Sequence, residues 1–315
     1  MTERLIYTAA DANYLLQAKV FLRSLSYTQK ESTRLLVFGS GWTSDLRAQL
    51  GSHAFANVTV EVLDVDPSKH TSIRLTNGFP LATAYNILAP QSELPSGVRA
   101  AYFDADMVVR RDLGELFSMN MSFAVGSVVD AHVAMMGGPS MWRPWREEGL
   151  DPTLPYLNTG ALLIDVDRWN SENLTSRILG YLEKYDLPCV DQDAINLVLK
   201  GGFDRLRPAF NSMPYHIMKL LRTADLVETL DDISEAIVNP SVIHFHRSFL
   251  GKPWCIGSTH PARDLWRGLA DECDRSWRRQ LDTFNLSRGI AARFAKMSVL
   301  DDRAPAMKKL TLEKI

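Results

Sequence analysis

The sequence predicts an α/β protein built around a mostly parallel sheet. Short apolar runs typical of strands alternate with segments whose apolar residues recur every three or four positions, as expected for strands joined by helical crossovers. The 315 residues, of which 46% are hydrophobic, are sufficient for one large core. The sequence contains no recognisable interdomain linker or internal repeat, so we expect one domain followed by a helical C-terminal extension.

Each segment of this alternation has its own signature. Short runs rich in β-branched and aromatic residues indicate strands, and apolar residues three and four apart indicate helices. In chain order the predicted elements of the first half are RLIYTA, LLQAKVFLRSL, RLLVFG, TSDLRAQL (capped by Thr43 or Ser44), NVTVEVLDV, ATAYNILA and VRAAYFDAD. Those of the second half are RRDLGELF, SFAVGSVVD, NTGALLIDVDRW (a strand leading into a helix), NLTSRILGYLEKY, DQDAINLVLKGG and VIHFH. Open sheets of this kind bind ligands beyond the carboxyl ends of their strands.

Composition and charge exclude several classes of protein. A net charge of −2 argues against a general nucleic-acid-binding protein, so no nucleic-acid partner is expected. The cysteines Cys189, Cys255 and Cys273 lack metal-type spacing, which argues against a disulfide framework or zinc site and favours a cytoplasmic location. The N-terminus enters a strand without room for a signal peptide, and no apolar run reaches about 18 residues, so no membrane span is expected.

Positive charge is concentrated at the C-terminus. Residues 275–315 contain ten Lys or Arg and four Asp or Glu, a net charge of +6. Within this segment Leu286, Ile290, Phe294 and Met297 recur at helical spacing beside basic residues. We therefore predict a basic helical extension, which either packs on the core as a surface helix or makes peripheral contact with an anionic membrane.

Pairs of aspartates two positions apart occur four times, and their contexts distinguish them. The pairs are Asp64/Asp66, Asp104/Asp106, Asp165/Asp167 and Asp191/Asp193. The first precedes a proline in a turn, the third leads into a helix where capping suffices, and the fourth lies at a helix start where side chains two apart diverge. The second follows the apolar AAYF, where residues two apart share a strand face, and the small Ala105 leaves room for a ligand. This pair either binds a cation or forms a solvated polar turn.

A histidine pair and a lysine late in the chain favour the cation. VIHFHRSFLGKPW places His244 and His246 on one strand face, with Lys252 shortly after. Two carboxylates and one imidazole suit Mn²⁺ or Mg²⁺ better than a structural zinc, and a lysine suits a phosphate. A single histidine at a strand end is more often a satisfied structural group. Together, however, these residues fit a metal-bound diphosphate.

The order of these motifs resembles glycosyltransferase family 8, the glycogenin-like retaining enzymes that include bacterial lipopolysaccharide galactosyl- and glucosyltransferases. The similarity covers roughly Leu5 to Trp254. The matching segments are TAADANY for the family's AADxNY, AYFDADMVV for YLDxDxxV, YLNTGALLIDVDRW for FNxGxxLxNLxxW, DQDAIN for DQDxLN, and HF…GKPW for HFxGxxKPW. The resemblance implies a GT-A type fold with a Rossmann-like nucleotide-sugar-binding catalytic domain. We place this domain at 1–274, followed by the basic helical extension at 275–315.

The resemblance also implies an activity and a set of site residues. The activity is transfer of a hexose, glucose or galactose, from a UDP-sugar to a glycan or glycolipid acceptor with retention of configuration. The implied positions are Ala9, Asp11 and Asn13 for the uridine; Asp104, Ala105, Asp106, His244 (alternatively His246), Gly251 and Lys252 for the Mn²⁺ or Mg²⁺ ion and the diphosphate; and Asp130, Asn158, Asp191 and Gln192 for the sugars. Of these, Asp130, Asn158, Asp191, Gln192 and Lys252 are the candidate catalytic residues.

The residue types agree with the chemistry of sugar–phosphate cleavage. Negative charge develops on the leaving diphosphate, and a divalent ion with Lys252 stabilises it, so no protonating carboxylic acid is required. A double displacement needs a nucleophile on the opposite face, and the matched residue, Gln192, is an amide. We therefore favour front-side attack, in which a leaving phosphate oxygen accepts the acceptor's proton. Asp191 as a transient nucleophile is the alternative.

Two positions depart from the family pattern. AYNIL has Asn86 where many members carry an arginine, and the missing positive charge leaves the donor sugar open. The family's metal-binding histidine lies six residues before the lysine, and the residue at that spacing here is His246. Alignment of the apolar strand residues instead places His244 at the family's histidine position. We assign His244 because a strand keeps its register better than a loop.

The acceptor and the reaction class leave alternatives open. In the loop GGPSMWRPWREEGLDPTLPY, Trp142 and Trp145 either stack on an acceptor sugar or anchor the loop by packing. A nucleotidyltransferase would also use paired aspartates, but it needs a further carboxylate for which no clear candidate lies near Asp104. A catalytically silent sugar-nucleotide or glycan-binding protein is the third alternative.

Overall fold

A central sheet of seven strands organises the chain. The computed structural model describes residues 3–66, 84–138, 144–220, 228–246 and 250–278. Its strands are β1 Arg4–Ala9, β2 Thr33–Gly39, β3 Val58–Asp64, β4 Arg99–Phe103, β5 Met107–Val109, β6 Val125–Val129, β7 Leu157–Asp165, β8 Asp204–Arg205 and β9 Val242–His244. The large sheet has the order β3-β2-β1-β4-β7-β6-β8, and β5 pairs with β9 in a separate two-stranded sheet. Among the described strands of the large sheet, β7 alone runs antiparallel to its neighbours, so the predicted mostly parallel, mixed sheet is confirmed.

Helices follow most strands and cover both faces of the sheet. They are α1 Leu15–Thr28, α2 Ser44–Gly51, α3 Tyr85–Ser92, α4 Gly114–Ser118, α5 Pro144–Glu147, α6 Val166–Ser171, α7 Leu174–Lys184, α8 Val190–Leu199, α9 Pro214–Leu220, α10 Leu230–Val238 and α11 Arg263–Cys273, with 3₁₀ turns at Ala12–Tyr14 and Pro208–Asn211. Thr43 caps α2 by accepting a hydrogen bond from the backbone N–H of Leu46, as one of the two expected caps. None of the helices in the described parts of the chain has both the length and the apolar character that crossing a bilayer requires.

Burial on both faces explains why the central strands are continuous apolar runs. Along β1, Leu5 and Tyr7 pack in a cluster with α3, α6, α7 and α8, whereas Ile6 packs on the opposite face with α1 and α2. Successive side chains of a strand point to opposite faces, so a strand covered by helices on both sides needs apolar residues at every position. The resulting three-layer arrangement leaves the strand ends as the places for polar side chains.

A third hydrophobic cluster attaches α11 to the outside of α1. The ring centroids of Trp254 and Trp266 are 5.0 Å apart, and those of Trp266 and Trp277 are 5.3 Å apart. Trp277 belongs to the segment that the sequence assigns to the basic extension, yet its side chain is buried with this cluster. The packed fold therefore continues to Trp277. The amphipathic pattern predicted between Leu286 and Met297 falls in 279–315, outside the described residues.

Two predicted elements are shorter in the structure. The strand predicted at VIHFH ends at His244, and it pairs with β5 instead of joining the large sheet. The helix predicted at RRDLGELF begins only at Gly114, because Asp112 accepts hydrogen bonds from the backbone N–H groups of Gly114 and Lys30 and thereby fixes a turn. β5, which has three residues, was not predicted, since a run that short gives no periodic signal.

Candidate active site

The predicted site residues meet at one edge of the large sheet. β1 and β4 are parallel, and the pairing of Tyr7 with Tyr102 brings the end of β1 level with Asp104, which follows β4. Asp130 follows β6, which runs in the same direction as β4. Because β7 runs in the opposite direction, its beginning, with Asn158, lies at this same edge. The ends of three strands and the start of a fourth therefore enclose one site, as expected for an open α/β sheet.

Two carboxylates and one imidazole converge at this edge. One ligand atom each from Asp104, Asp106 and His244 can be chosen such that all lie within 4.8 Å of one another. His244 Nε2 lies 3.5 Å from Asp104 Oδ2 and 3.4 Å from Asp106 Oδ1. The side chain of Asp104 is 38% exposed, whereas those of Asp106 and His244 are 10% and 3% exposed, so the cluster opens to solvent on the Asp104 side.

Strand pairing between β5 and β9 explains how distant parts of the sequence form this cluster. Met107 pairs with His244 in the antiparallel ladder, and the backbone N–H of Phe245 donates to the carbonyl of Asp106 at 3.1 Å. The expectation that the two aspartates share a strand face is wrong, because β4 ends at Phe103 and both lie in the turn between β4 and β5. Their convergence comes from the turn and from the partner strand.

His246 does not join the carboxylates. Its ring centroid is 5.4 Å from that of His244 and 6.0 Å from that of Tyr215. Burial lowers the pKa of His246 to about 4, and neighbouring His244 adds to the effect. The structure thus brings His244, the assigned histidine, into the cluster and directs His246 toward the side of Asp130 and Tyr215.

Two residues that were not singled out in the sequence orient His244. Asn211 Oδ1 lies 2.9 Å from His244 Nδ1, and a Cβ atom added to Gly160 would lie 2.5 Å from His244 Cε1. The imidazole therefore needs glycine at this point of β7. A glycine inside a predicted strand signals close approach of another group, and Gly160 carried that signal. Asn211 gave only a weak signal in the sequence, as a polar residue that follows the apolar segment PAF.

Lys252 neutralises the charge of Asp106. Its ammonium forms an ion pair with Asp106 Oδ2 and lies 5.2 Å from the ring centroid of Trp254. Burial alone would raise the pKa of Asp106, but Lys252 and His244 outweigh burial and hold it well below its ordinary range. Gly251, with φ of +71°, supplies the left-handed backbone that turns Lys252 toward the site.

Three side chains form a hydrogen-bonded group beside the carboxylates. Asn158 Nδ2 donates to Asp130 Oδ2 at 2.8 Å and to Gln192 Oε1 at 3.1 Å, and Gln192 Nε2 donates to Asp130 Oδ2 at 3.2 Å. Burial acts to raise the pKa of Asp130, but His246, Asn158 and two backbone N–H groups outweigh it and lower the pKa. Asp130 is therefore an ionised acceptor, held in place by two amides.

The two aspartates of the first turn of α8 point to different partners, as predicted for residues two apart on a helix. Asn86 Nδ2 donates to Asp191 Oδ2 at 2.7 Å, whereas Asp193 accepts from Tyr156 Oη at 2.5 Å and from the backbone N–H of Cys189 at 2.7 Å. Burial raises the pKa of Asp191 and of Asp193 to about 7 in each case. Asp191 faces the site, and Asp193 anchors the helix.

The uridine candidates lie at the end of β1. Ala9 is the last residue of the strand, and Asp11 Oδ1 accepts from the backbone N–H of Asn13 to begin the 3₁₀ turn. Both polar side chains are accessible to a ligand. The side chain of Ala105 is 4% exposed and packs in the core with α1, so any contact of Ala105 with a ligand comes from its backbone.

Tyr14 is a further site residue that was missed, although it ends the quoted TAADANY. Its ring lies edge-on to Trp254, with 6.4 Å between centroids, and burial raises its pKa, against the effect of the nearby Lys252 ammonium. In the Gly- and Trp-rich loop, Trp145 packs against the core cluster on the α7 and α8 side, which favours the packing interpretation for this residue. Trp142 lies outside the described residues.

The fold and the site together define an α/β protein with an acidic site at the carboxyl ends of its strands. Comparison with known proteins identifies the family. The family model "Glycosyl transferase family 8" matches residues 5–256. The chain therefore belongs to glycosyltransferase family 8, a family of glycosyl transfer enzymes, and the resemblance found in the motifs is confirmed.

Individual relatives are distant. General stress protein A of Bacillus subtilis is 26% identical over 268 residues, covering 82% of this chain and 90% of its own length. A lipopolysaccharide 1,2-glucosyltransferase of Escherichia coli is 22% identical, covering 82% and 75%. Among solved structures, the galactosyltransferase LgtC in complex with donor and acceptor sugar analogues superposes with a TM-score of 0.72 at 21% identity, covering 86% of this chain and 96% of LgtC. This likeness confirms the GT-A type fold.

Asp193 gives the protein a pH-dependent stability that can be measured. Because its folded-state pKa of about 7 lies above the ordinary value near 3.9, it contributes stability that is fully present at low pH and is lost as pH rises through 7. In Asp193→Asn, which mimics the neutral carboxyl, this loss is absent. Between pH 5 and pH 8 we expect the free energy of unfolding of the wild type to fall by about 2 to 3 kcal/mol relative to the variant.

Urea denaturation of both proteins, without added metal, measures this difference. Asn196→Ala is the matched control, since Asn196 is equally buried on α8 but does not ionise. Its pH profile should run parallel to that of the wild type. Parallel profiles for the wild type and Asp193→Asn would contradict the raised pKa.

Proposed function

We propose that this chain is a metal-dependent, retaining hexosyltransferase that moves glucose or galactose from a UDP-sugar to a glycan or glycolipid acceptor. The observation that carries the proposal is the cluster of Asp104, Asp106 and His244 at the sheet edge of a family 8 fold. The relatives support the sugar chemistry, since one is a lipopolysaccharide 1,2-glucosyltransferase and LgtC was solved with donor and acceptor sugar analogues.

The cluster fits Mn²⁺ or Mg²⁺. Carboxylate oxygens and one imidazole are the ligands such an ion accepts. Asp106 Oδ1 is buried and has no hydrogen-bond partner among the described residues, as expected for a ligand atom. When bound, the ion supplies Lewis-acid stabilisation of the charge on the leaving diphosphate.

Lys252 adds a second positive charge at the same point. Burial would lower its pKa, but Asp106 raises it, so the ammonium stays charged. A compact ammonium that pairs with Asp106 can also donate to phosphate oxygens, and Gly251 leaves the adjoining backbone unobstructed by a side chain. On this basis we assign both residues to the diphosphate.

Asp130, Asn158 and Gln192 are suited to hold sugar hydroxyls. An ionised carboxylate accepts hydrogen bonds from hydroxyl groups, and the two amides fix its position. Ala9, Asp11 and Asn13, at the end of β1, are assigned to the uridine because they lie beside the metal cluster and remain accessible. The donor would thus extend from the end of β1 across the metal cluster toward β7.

The hydrogen bonds of Gln192 favour front-side attack. Its Oε1 atom already accepts from Asn158 Nδ2 at 3.1 Å and from the backbone N–H of Thr159 at 3.2 Å, which leaves it a weak nucleophile. Asp191, with a pKa raised to about 7, is only partly ionised near that pH, and its carboxylate accepts a hydrogen bond from Asn86, so it too is a weakened nucleophile. The proton of the acceptor hydroxyl is then accepted by a leaving phosphate oxygen.

Asp106→Asn tests the metal assignment. Loss of one carboxylate charge should weaken Mn²⁺-dependent UDP binding by at least about 100-fold and remove hexose transfer with it. Isothermal titration of UDP with and without Mn²⁺ measures the first effect. Asp167→Asn, in another pair of aspartates two apart but bonded to Ser96 and Gly97, is the control and should bind like the wild type. Unchanged turnover in Asp106→Asn would contradict the proposed role of a metal ion at this site.

The released nucleotide distinguishes the reaction classes. Incubation of the wild type with UDP-glucose or UDP-galactose, Mn²⁺ and a glycan acceptor should release UDP, because the sugar–phosphate bond breaks. Release of pyrophosphate from a nucleoside triphosphate and a sugar phosphate would instead identify a nucleotidyltransferase. Tight UDP binding without turnover on any sugar nucleotide would identify a silent binding protein. UDP should also bind more tightly than GDP or CMP.

We further propose that the enzyme is cytoplasmic and that its basic C-terminus contacts the membrane surface. The net charge of +6 on residues 275–315 supports the membrane contact. The full chain should cosediment with vesicles containing anionic lipid at low salt and much less at high salt, because salt screens the attraction. The triple variant Arg288→Glu, Arg293→Glu and Lys296→Glu should lose this binding. Equal binding to neutral vesicles would contradict an electrostatic contact.

A further inference from the structure

We infer that Asn211 is a positioning residue that couples the metal ligand His244 to the amides that hold the donor sugar. The inference rests on the proposed function of this site. Asn211 is fully buried at the end of the 3₁₀ turn Pro208–Asn211, with His244 on one side of its amide and Asn158 on the other. In the described part of the chain, its side-chain hydrogen bonds go to His244 and Asn158 and not to the carboxylates, so its role is exerted through its neighbours.

The orientation of the two amides follows from a backbone N–H group, which can only donate a hydrogen bond. The backbone N–H of Gly160 donates to Asn158 Oδ1 at 3.0 Å, which identifies that atom as the amide oxygen. The group of Asn211 that lies 2.8 Å from the same oxygen must then be its Nδ2 donor. Asn158 Nδ2 consequently faces Asp130, a carboxylate that can only accept.

This direction determines the tautomer of His244. With its amide nitrogen turned to Asn158, Asn211 presents Oδ1 to His244 Nδ1, at 2.9 Å. A carbonyl oxygen needs a donor, so Nδ1 carries the proton and Nε2 keeps its lone pair toward Asp104 and Asp106. A single backbone N–H therefore fixes, through two amides, which nitrogen of His244 is available to the metal.

The backbones of Asn211 and His244 are also held together. The N–H of Ser212 donates to the carbonyl of Val242, and the N–H of His244 donates to the carbonyl of Ser212, both at 2.9 Å. Asn211 thus cannot shift without moving β9. Because its two bonds are buried, rotation of its amide would set like groups against each other and break both bonds.

Two substitutions separate the two halves of this role. Asn211→Asp keeps an acceptor for His244 Nδ1 but places a carboxylate oxygen against Asn158 Oδ1, so it preserves the metal side and disturbs the sugar side. Asn211→Ala removes both bonds. A merely structural asparagine would give variants that lose metal binding and turnover in parallel with their loss of stability.

We expect Asn211→Ala to weaken Mn²⁺ binding in the presence of UDP by about 10- to 100-fold, as for other residues that orient metal ligands. Asn211→Asp should bind Mn²⁺ within about threefold of the wild type, yet lose about 10- to 100-fold in kcat for hexose transfer through a misplaced donor sugar. Electron paramagnetic resonance of free Mn²⁺, titrated with protein and UDP, measures binding independently of activity.

Asn196→Ala is the control for lost stability. Asn196 is a buried asparagine that bonds the backbone of Leu157 and Gln192 without touching a metal ligand, so its loss should lower the melting temperature and leave Mn²⁺ affinity unchanged. Wild-type Mn²⁺ affinity in Asn211→Ala, or equal loss of affinity in Asn211→Asp, would overturn the inference. Absence of UDP-dependent Mn²⁺ binding in the wild type itself would instead refute the proposed function.

Discussion

The site depends on the pairing of two three-residue strands, β5 and β9. Met107, Val108 and Val109 pair with His244, Ile243 and Val242, and all six side chains are buried. Because side chains alternate along a strand, a slip of one residue would turn His244 away from the carboxylates and expose apolar neighbours. The cost of exposing those side chains therefore fixes the register, and the register places an imidazole beside carboxylates from a distant part of the chain.

The large sheet could be predicted from the sequence because its signal is local. A strand covered on both faces must be apolar throughout, and this is visible in RLIYTA or in VRAAYF without any knowledge of its neighbours. The pairing of β5 with β9 has no such signal. Its residues are too few for periodicity, and MVV carries no information about its partner. The same limit produced the error about Asp104 and Asp106, whose convergence was attributed to a strand that ends before them.

The site residues divide along the same line. Asp104, Asp106, His244 and Lys252 could be selected because residue type and motif order point to them. Asn211 could not, since its importance comes only from lying between His244 and Asn158 in space. Such residues become visible when every buried donor and acceptor is matched with its partner. At this site the hydrogen bonds run without a break from the backbone N–H of Gly160 to the imidazole of His244. These contacts join residues that are far apart in the sequence, so the sequence alone does not predict them.

Asn86 illustrates how the structure changes the meaning of a departure from the family pattern. In the sequence, its amide marks a missing positive charge near the donor. In the structure, that amide donates a hydrogen bond to Asp191, so the departure acts first on the ionisation of this carboxyl. A guanidinium at this place would favour the ionised form, whereas an amide hydrogen bond does not outweigh burial, and the pKa of Asp191 rises to about 7. The asparagine therefore leaves Asp191 only partly ionised near pH 7, so that this carboxyl can donate as well as accept a hydrogen bond, which under the proposed function suits a sugar hydroxyl.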